Sequence, residues 1–296
     1  MEKERKKGKR RIRIVILILL LAVFVTSTTF VVIWLLDAAR VRNEMDDLRA
    51  MIRTEGTEKA AGDTTKEAAK ETAEPGSSAG PDSESGSENA ETAEQTEDPV
   101  PAGFDREAFF KYQAIYELNP DFVGWLRIPD TAVDYPVLRR EGETEYYLWR
   151  NIREENDDHG IPYMDGFSVI GESDNLYIYG HHKRDGTMFF DLEKFRDENY
   201  YRSRKYIYFE TLSRGMEVYE VAVTFMVDVH NDPFHFHQYY NFTPESFEEF
   251  YREVKARQLY ETDTDIEYGD ELLTLVTCER VFSEIGRFVL IARRIR

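Results

Sequence analysis

Hydrophobic and polar residues follow three different patterns along the 296-residue chain. Residues 14–36 form an apolar run without a charged side chain, and at about 1.5 Å per helical residue the run is long enough to cross the ~30 Å core of a bilayer. Residues 54–101 are dominated by Glu, Thr, Ala, Ser, Gly, Asp and Pro and contain no aromatic residue, Leu or Ile. From Phe104 onward, aromatic residues are frequent and apolar residues alternate with polar ones. The pattern predicts a membrane helix, a linker and one folded domain, 104–296.

The alternation within 104–296 is that of short strands separated by turns. Turn signals at this close spacing favour an all-β barrel or sandwich, so the predicted fold class is mainly β. The strand-like segments are FVGWLRI, VDYPVL, LYIYG, KYIYFETL, GMEVYEVAVTFMVDV, ELLTLVTC and RFVLIARRI.

Two segments of the folded domain have the spacing of helices instead. The first precedes Pro120, and its apolar residues are Phe109, Tyr112, Ile115 and Tyr116. The second is a helical insert before the cysteine-containing strand, with Thr243 as N-cap and Pro244 in the first turn. Its apolar stripe consists of Phe247, Phe250, Tyr251 and Val254.

Charge orients the apolar run in the membrane. Residues 1–13 carry eight lysines and arginines against two glutamates, so this basic segment is predicted to stay in the cytoplasm and everything after Asp37 to lie outside the cell. A cleaved signal peptide is the alternative interpretation, but its apolar region is typically about 7–15 residues long. Because this run is longer and ends in Trp-Leu-Leu, we predict an uncleaved, single-pass membrane anchor at 14–36.

The segment between the anchor and the folded domain, 37–103, is predicted to have two parts. Residues 38–53 can extend the membrane helix for a few turns, whereas the acidic stretch from Thr54 cannot bury enough apolar surface to offset its ordering entropy and is predicted to be disordered. This linker is either a tether that holds the domain away from the membrane or a generic solvated segment. Its negative charge argues against nucleic acid binding, and the chain has no glycine-rich phosphate loop.

The only cysteine, Cys278, lies near the end of a predicted strand. In an exported protein a single cysteine has no intramolecular disulfide partner, so it is either a buried small hydrophobic residue or a free thiol with a chemical role. The segment VFSEIG then turns the chain, and a hairpin of this length can bring Arg287 beside Cys278. There a guanidinium would favour the thiolate or donate to an oxyanion, although an arginine on a strand is more often a solvated rim residue.

Two histidines follow another predicted strand end, in the segment LYIYGHH. His181 comes directly after Gly180, and an imidazole titrates near neutrality, which suits a general acid or base. Either His181 or His182 taken alone is more often an exposed turn residue, so its pairing with Cys278 is a hypothesis.

The segment VHNDPFHFH contains His230, His235 and His237. His235 and His237 would share one face of a strand, and imidazole is a zinc ligand. With no cysteine nearby and with aromatic and proline neighbours, the segment is better interpreted as a loop at the rim of a groove. We therefore predict no metal site and no cofactor.

Several segments resemble the sortase family. TLVTC, ending at Cys278, resembles the signature Thr-Leu-x-Thr-Cys, YGH is similar to the segment with the catalytic histidine, and GRFVLIA resembles the last strand, which bears the arginine. NPDFVGWLRIPDTAVDYPVL, YYLWRN and GIPYMD follow the family's order, so the resemblance covers about 105–296. The helix before the cysteine strand and the segment YGHHKRDGTMF are similar to class B members. The resemblance implies a closed sortase-type β-barrel.

The resemblance also implies roles for three side chains. Cys278 would be the nucleophile, His181 the general acid and base, and Arg287 the residue that stabilises the transition state. His181 is chosen over His182 because it directly follows Tyr-Gly, as in the family motif.

Other matching positions concern the substrate groove. Leu148, Val276 and Glu279 fall where class B members line that groove. Thr144 stands where some class B enzymes carry an asparagine, which leaves the peptide preference open, and Tyr163 replaces a common phenylalanine, which we interpret as a packing difference.

The implied reaction is transpeptidation. The thiolate would attack a threonine carbonyl in the C-terminal sorting motif of a surface protein, and an amine would then release the thioester. The amine would come from a peptidoglycan precursor or, in a pilin-polymerising enzyme, from a pilin lysine. Two other possibilities stay open, a plain cysteine protease and a non-catalytic exported module that binds peptides.

Overall fold

The computed structural model describes residues 2–67, 100–279 and 286–296, with side chains at 14–52, 100–277 and 286–296. These residues form a closed β-barrel with helices on its outside, which confirms the mainly β prediction. The helices are α1 Glu2–Glu67, α2 Arg106–Leu118, α3 Glu198–Arg202 and α4 Pro244–Arg257, with 3-10 turns at Phe189–Arg196 and Phe236–Gln238. The strands are β1 Phe122–Arg127, β2 Asp134–Leu138, β3 Tyr163–Met164, β4 Asn175–Gly180, β5 Tyr206–Thr211, β6 Gly215–Asp228, β7 Leu272–Glu279 and β8 Gly286–Arg294.

The strands close in the order β1-β2-β3-β4-β7-β8-β6-β5. Pairing is antiparallel except for β2 with β3 and β4 with β7, which are parallel. The two-residue strand β3 is the one described strand that the alternation does not predict, because it is too short to show a period. It forms because Tyr163 pairs with Leu138 on one side and with Tyr179 on the other.

The register of β4, β7 and β8 determines which residues meet at one end of the barrel. Gly180, the last residue of β4, is paired with Thr277 of β7. Cys278 of β7 is paired with Arg287 of β8. Paired strands lie about 4.8 Å apart, so the backbones of residues 181, 278 and 287 are neighbours.

Alternation along β7 and β8 divides the core into two layers. Leu273, Leu275 and Leu290 belong to the cluster that fills the barrel. Val276 and Val289 belong to a second cluster, which also contains the apolar stripe of α4. Since each fully buried side chain of this size contributes about 1.5–3 kcal/mol, both faces of this strand pair are fixed by packing.

The two helices predicted within the domain are confirmed, and so is the predicted cap of the second, since Thr243 caps α4 with Pro244 in the first turn. Helix α2 is capped by Asp105, which accepts a hydrogen bond from the amide of Ala108 at 2.8 Å. The buried residues of the two helices are Ala108, Phe109, Tyr112 and Ile115 in α2 and Phe247, Phe250 and Val254 in α4.

Helix α1 contains the apolar run at 14–36. Its side chains are exposed there, and an 18-residue window has a mean hydropathy of 2.8, so α1 is long and apolar enough to cross a membrane. Exposed apolar surface of this extent needs a lipid or protein cover.

Beyond the apolar run, α1 packs against the barrel. Ala38, Val41, Met45 and Leu48 are 1–3% exposed, and their spacing places them on one side of a helix. Three of them join the main core cluster, next to Tyr112 of α2. The helix therefore contributes to the folded unit although it lies outside 104–296.

Helix α1 also continues to Glu67, past Thr54, where composition predicts disorder to begin. Ala, Glu and Lys in this stretch are strong helix formers, and low apolar content does not by itself prevent helix formation. The rest of the predicted disordered linker, 68–99, lies outside the described residues.

Candidate active site

An open cleft of about 1060 Å³ lies at the end of the barrel where β4 and β7 end and β8 begins. Seven of the residues singled out from the sequence line it: Thr144, Leu148, Tyr163, His181, His237, Val276 and Arg287. Its other walls come from the loop before β3, from the segment after β6, and from Tyr179 and Thr277 on the paired strands. The fold thus gathers segments that are distant along the chain.

Local packing determines where His181 lies. A Cβ atom on Gly180 would fall 2.7 Å from a carbon of the Phe189 ring, so only glycine allows the chain to leave β4 in this direction. The His181 imidazole is 7% exposed, and its Nε2 lies 2.7 Å from the carbonyl oxygen of Leu148. Because a carbonyl only accepts, Nε2 carries a hydrogen and Nδ1 is the nitrogen that can exchange a proton. The Trp149 ring packs against the imidazole, with 4.6 Å between the two ring centroids.

His182 has different surroundings. Its Nε2 lies 2.9 Å from a carboxylate oxygen of Glu193, and the centroid of its ring lies 4.9 Å from that of Phe190. Its backbone pairs with Met188 in an isolated bridge. His182 therefore packs onto the 3-10 turn that follows, whereas His181 lines the cleft.

The structure describes Cys278 and Glu279 through their backbones, and their side chains lie outside the described residues. Both residues belong to β7, where Cys278 is opposite Arg287 and Glu279 is opposite Gly286. The preceding residues, Val276 and Thr277, line the cleft. The backbone of the only cysteine thus continues directly from the cleft wall.

The Arg287 side chain is half-buried at the cleft, where its Nη1 donates to the carbonyl of Gly286 at 3.0 Å. Among the side chains that the structure describes, it makes no ion pair. A cation that no described carboxylate pairs with, in a partly enclosed cleft, is suited to binding an anion or an oxyanion.

One wall of the cleft is a polar cluster around Asp165, a residue that the sequence analysis did not single out. Asp165, 3% exposed, accepts hydrogen bonds from the Thr144 hydroxyl at 2.9 Å and from the Tyr179 hydroxyl at 3.3 Å. Burial and the nearby carboxylate raise the pKa of Tyr179 well above its ordinary value. The hydrogen bond to Asp165 thus fixes the Thr144 side chain. The sequence signal that could have pointed to Asp165 was an aspartate directly after the apolar segment IPYM. Tyr163 is also buried and stacks on Tyr179 at 5.6 Å.

The histidines of VHNDPFHFH lie in the segment after β6. His237 lines the cleft, its ring is 6.0 Å from that of His235, and burial lowers its pKa. Within the described ranges, no group of three or more His, Cys, Asp or Glu residues is arranged to hold a metal ion.

Comparison with known proteins gives one consistent result. The Sortase domain family model matches residues 126–295. Sortase B of Listeria monocytogenes is 30% identical over 197 residues, covering 66% of this chain and 78% of that protein. The substrate complex of Staphylococcus aureus sortase B has a TM-score of 0.57 at 26% identity, covering 63% of this chain and 85% of that one. Clostridium perfringens sortase B, at 24% identity and a TM-score of 0.57 over 62% and 99% of the two chains, shares the fold. The chain therefore belongs to the sortase family of cysteine transpeptidases and is similar to its class B members.

Proposed function

We propose that this chain is a membrane-anchored, extracellular transpeptidase that cleaves a C-terminal sorting motif and joins the shortened protein to a cell-wall amine. The observation that carries the proposal is the register of β4, β7 and β8. It makes Cys278 the partner of Arg287 and puts His181 one residue beyond the pair Gly180–Thr277. A thiol, an imidazole and a guanidinium at neighbouring ends of three adjacent strands suit covalent acyl transfer.

In the first step, the Cys278 thiolate attacks the carbonyl carbon of the scissile peptide bond. A carbon–sulfur bond forms, and the carbonyl oxygen becomes an oxyanion to which the Arg287 guanidinium donates. The carbon–nitrogen bond then breaks, and Nδ1 of His181 gives its proton to the leaving amine. An unperturbed cysteine has a pKa of about 8.5, so a nearby cation that favours the thiolate also increases the reactive fraction near neutrality.

In the second step, an incoming amine attacks the thioester. His181, now neutral, takes the proton that the amine loses, and the thiolate leaves as the new amide bond forms. The hydrogen bond from Nε2 to the Leu148 carbonyl keeps the ring in one orientation through both steps. The bond energy of the original amide is kept in the thioester, which an amine opens readily.

The substrate would lie along the cleft wall. We assign Leu148 and Val276 to contacts with the apolar part of the sorting motif, and Glu279, which follows Cys278 on β7, to the outer end of the groove. A sortase B structure in complex with triglycine supports a glycine-type amine as acceptor, and the substrate complex of the Staphylococcus aureus enzyme supports a peptide donor.

The location follows from α1. The exposed apolar run 14–36 would span the bilayer, and the basic residues before it would stay in the cytoplasm. The catalytic domain would then lie on the outer side of the membrane, where surface proteins with sorting signals and peptidoglycan precursors are available. Nucleic acid is not an expected partner of a chain with formal net charge −19.

The test uses the full chain in lipid nanodiscs with a panel of sorting peptides. Each peptide is offered with triglycine, with a pilin-type lysine peptide, or with water alone, and products are identified by mass spectrometry. We expect a thioester adduct on Cys278 and an amide product with triglycine. Cys278→Ala should abolish the adduct and the product, and Cys278→Ser is the matched variant that keeps a hydroxyl in place of the thiol.

Each alternative gives a different result. A cysteine protease would hydrolyse the peptide even with the amine in excess, and a pilin-polymerising enzyme would prefer the lysine acceptor. A peptide-binding module would bind peptides with or without Cys278 and form no adduct. Failure of every peptide to acylate Cys278 would overturn the proposal.

A further inference from the structure

The loop that carries His181 is a short hairpin, 181–189, called here the histidine hairpin. The amide of Phe189 donates to the carbonyl of His181 at 2.9 Å, and His182 pairs with Met188. Met188 has a positive φ of 56°, which side chains rarely adopt, and its amide donates to the Tyr135 hydroxyl at 2.9 Å. A strained residue at the base means that the surroundings hold this hairpin in shape.

The tip of the hairpin is held by Asp185. One carboxylate oxygen accepts from the amide and the hydroxyl of Thr187 at 3.0 and 2.6 Å. The other lies 2.7 Å from Nε2 of His159, a residue of the loop before β3. His159 is 6% exposed, so this bond is shielded from water.

The same tip is in contact with α1. The Arg42 guanidinium of α1 donates to the backbone carbonyl of Asp185 at 2.6 Å. Nδ1 of His159 lies 3.4 Å from the Asp37 carboxylate, and Arg40 pairs with Asp157 at 2.9 Å. We call this group the docking cluster, and its members are Asp37, Arg40, Arg42, Asp157, His159 and Asp185.

The docking cluster lies directly beyond the apolar run. Arg42 follows Leu36 by six positions, so at 1.5 Å per helical residue it lies about 9 Å past the end of that run. Because α1 is continuous through this point, the position of the hairpin tip is linked to the position of the membrane helix.

The geometry points to a second role for the anchor helix: residues 37–42 of α1 are a positioning element of the active site, which holds the histidine hairpin, and through it His181, by way of the docking cluster. The inference rests on the proposed function for His181. On this view Arg42 and His159 are positioning residues, because they act through the hairpin and touch no reacting atom.

Helix α1 offers a matched control. Arg49, like Arg42, is an arginine of α1 that binds the barrel, with Nε 2.9 Å from the Asp134 carboxylate and Nη2 donating to the Asp134 carbonyl at 2.7 Å. Asp134 begins β2 and has no described bond to the docking cluster. Arg42→Gln and Arg49→Gln therefore each remove one arginine from the same helix, and only the first touches the hairpin.

The experiment compares Arg42→Gln, His159→Gln and Arg49→Gln in the full chain in lipid nanodiscs. Exchange of the Phe189 amide is measured by hydrogen–deuterium exchange in a Cys278→Ala background, and kcat and KM for transpeptidation are measured with Cys278 present. We expect faster exchange and about a tenfold lower kcat with unchanged KM for Arg42→Gln and His159→Gln. Arg49→Gln should change both quantities by less than about twofold.

Two results would overturn the inference. One is unchanged exchange and kcat in Arg42→Gln, a substitution at an exposed side chain that should not prevent folding. The other is an equal effect of Arg49→Gln, which would mean that docking of α1 stabilises the domain in general. If the wild-type chain forms no product, the proposed function fails, while the exchange measurement still decides whether α1 holds the hairpin.

Discussion

Strand β8 carries an arginine near each end, and the two have opposite surroundings. Arg294 lies 3.0 Å from Glu217 and 2.9 Å from Glu271, and Arg214 joins the same carboxylates. Arg287, at the cleft, donates to a neighbouring carbonyl and makes no ion pair with the side chains that the structure describes. The sequence singled out Arg287 through its predicted place beside Cys278 and the segment GRFVLIA, but it did not show that Arg294 is paired with carboxylates.

The difference separates stability from chemistry. Glu217 is fully buried, and burial raises the pKa of its carboxyl, so the adjacent guanidinium offsets the cost of a charge inside the protein. Arg287 has no such charge to compensate among the described side chains, and it lines a cleft. At the Arg294 end of β8 the charges are therefore paired within the protein, whereas the Arg287 end is suited to an interaction with a ligand.

Replacing Arg287 should give the largest effect of the substitutions considered for this comparison. We expect Arg287→Ala to lower kcat by about 10²–10³-fold, because a donor to the oxyanion is lost. The melting temperature should stay within about 1 °C of wild type, since none of the described carboxylates would lose a partner. Steady-state transpeptidation and thermal unfolding measure the two quantities, and Arg287→Lys tests whether charge without the guanidinium geometry suffices. A large loss of stability would contradict the assignment of Arg287 to the chemistry.

Replacing Arg294 should have the opposite outcome. Arg294→Ala leaves Glu217 with one guanidinium instead of two, so the free energy of unfolding should fall by about 2–3 kcal/mol while kcat per folded molecule is unchanged. The neighbouring Arg293 lies 3.9 Å from Asp270 and serves as the control. Arg293→Ala should cost less than about 0.5 kcal/mol in chemical denaturation. If Arg294→Ala and Arg293→Ala lowered the free energy of unfolding equally, the ion pairs with Glu217 and Glu271 would not be what stabilises this end of β8.

The cleft end depends on close packing instead of charge. In Gly180→Ala the new methyl group would overlap the Phe189 ring, so we expect a loss of about 2 kcal/mol and a displacement of His181 that lowers kcat. Phe189→Leu removes part of the ring and should restore some of both losses in the double variant. A double-mutant cycle in stability and kcat measures this coupling, and additive losses would argue against the contact.

The smallest expected effect is a pH dependence of the docking cluster. Burial lowers the pKa of His159, but its hydrogen bonds to Asp157 and Asp185 outweigh this, and the pKa is raised above its ordinary value of 6.5. A raised pKa means that His159 stabilises the fold fully below about 6.5 and loses this contribution as pH rises through the folded-state value. The charged groups facing it are Asp37, Arg40, Asp157, Lys183 and Asp185, and the pKa values of Asp157 and Asp185 are lowered, so these two stay ionised.

The measurement is the difference in melting temperature between wild type and His159→Gln at pH 6 and pH 9. We expect this difference in melting temperature to be roughly 2–4 °C larger at pH 6 than at pH 9, which corresponds to about 1 kcal/mol in a domain of this size. A difference that grows with pH would mean that His159 is bound as the neutral imidazole.

Much of the architecture could be predicted from the sequence, because the period of the apolar residues indicates which face of a helix or strand is buried. Alternation predicted the long strands, the 3–4 spacing predicted α2 and α4, Thr243 was the predicted cap of α4, and the uncharged run at 14–36 predicted the apolar part of α1. The spacing of Ala38, Val41, Met45 and Leu48 also carried a signal for packing against another element, which composition alone obscured. The motif order was sufficient for the family and for the residues proposed to act in catalysis.

Tertiary structure alone decided how these pieces meet. The two-residue strand β3 exists only because two neighbours pair with it, and Asp165 lines the cleft because β3 leads into it. Contacts across the fold also distinguish Arg287 from Arg294 and connect α1 to Asp185. A linear sequence specifies the side chains and their local period, but burial, strand register and the partners of a charge depend on residues that are distant in the chain.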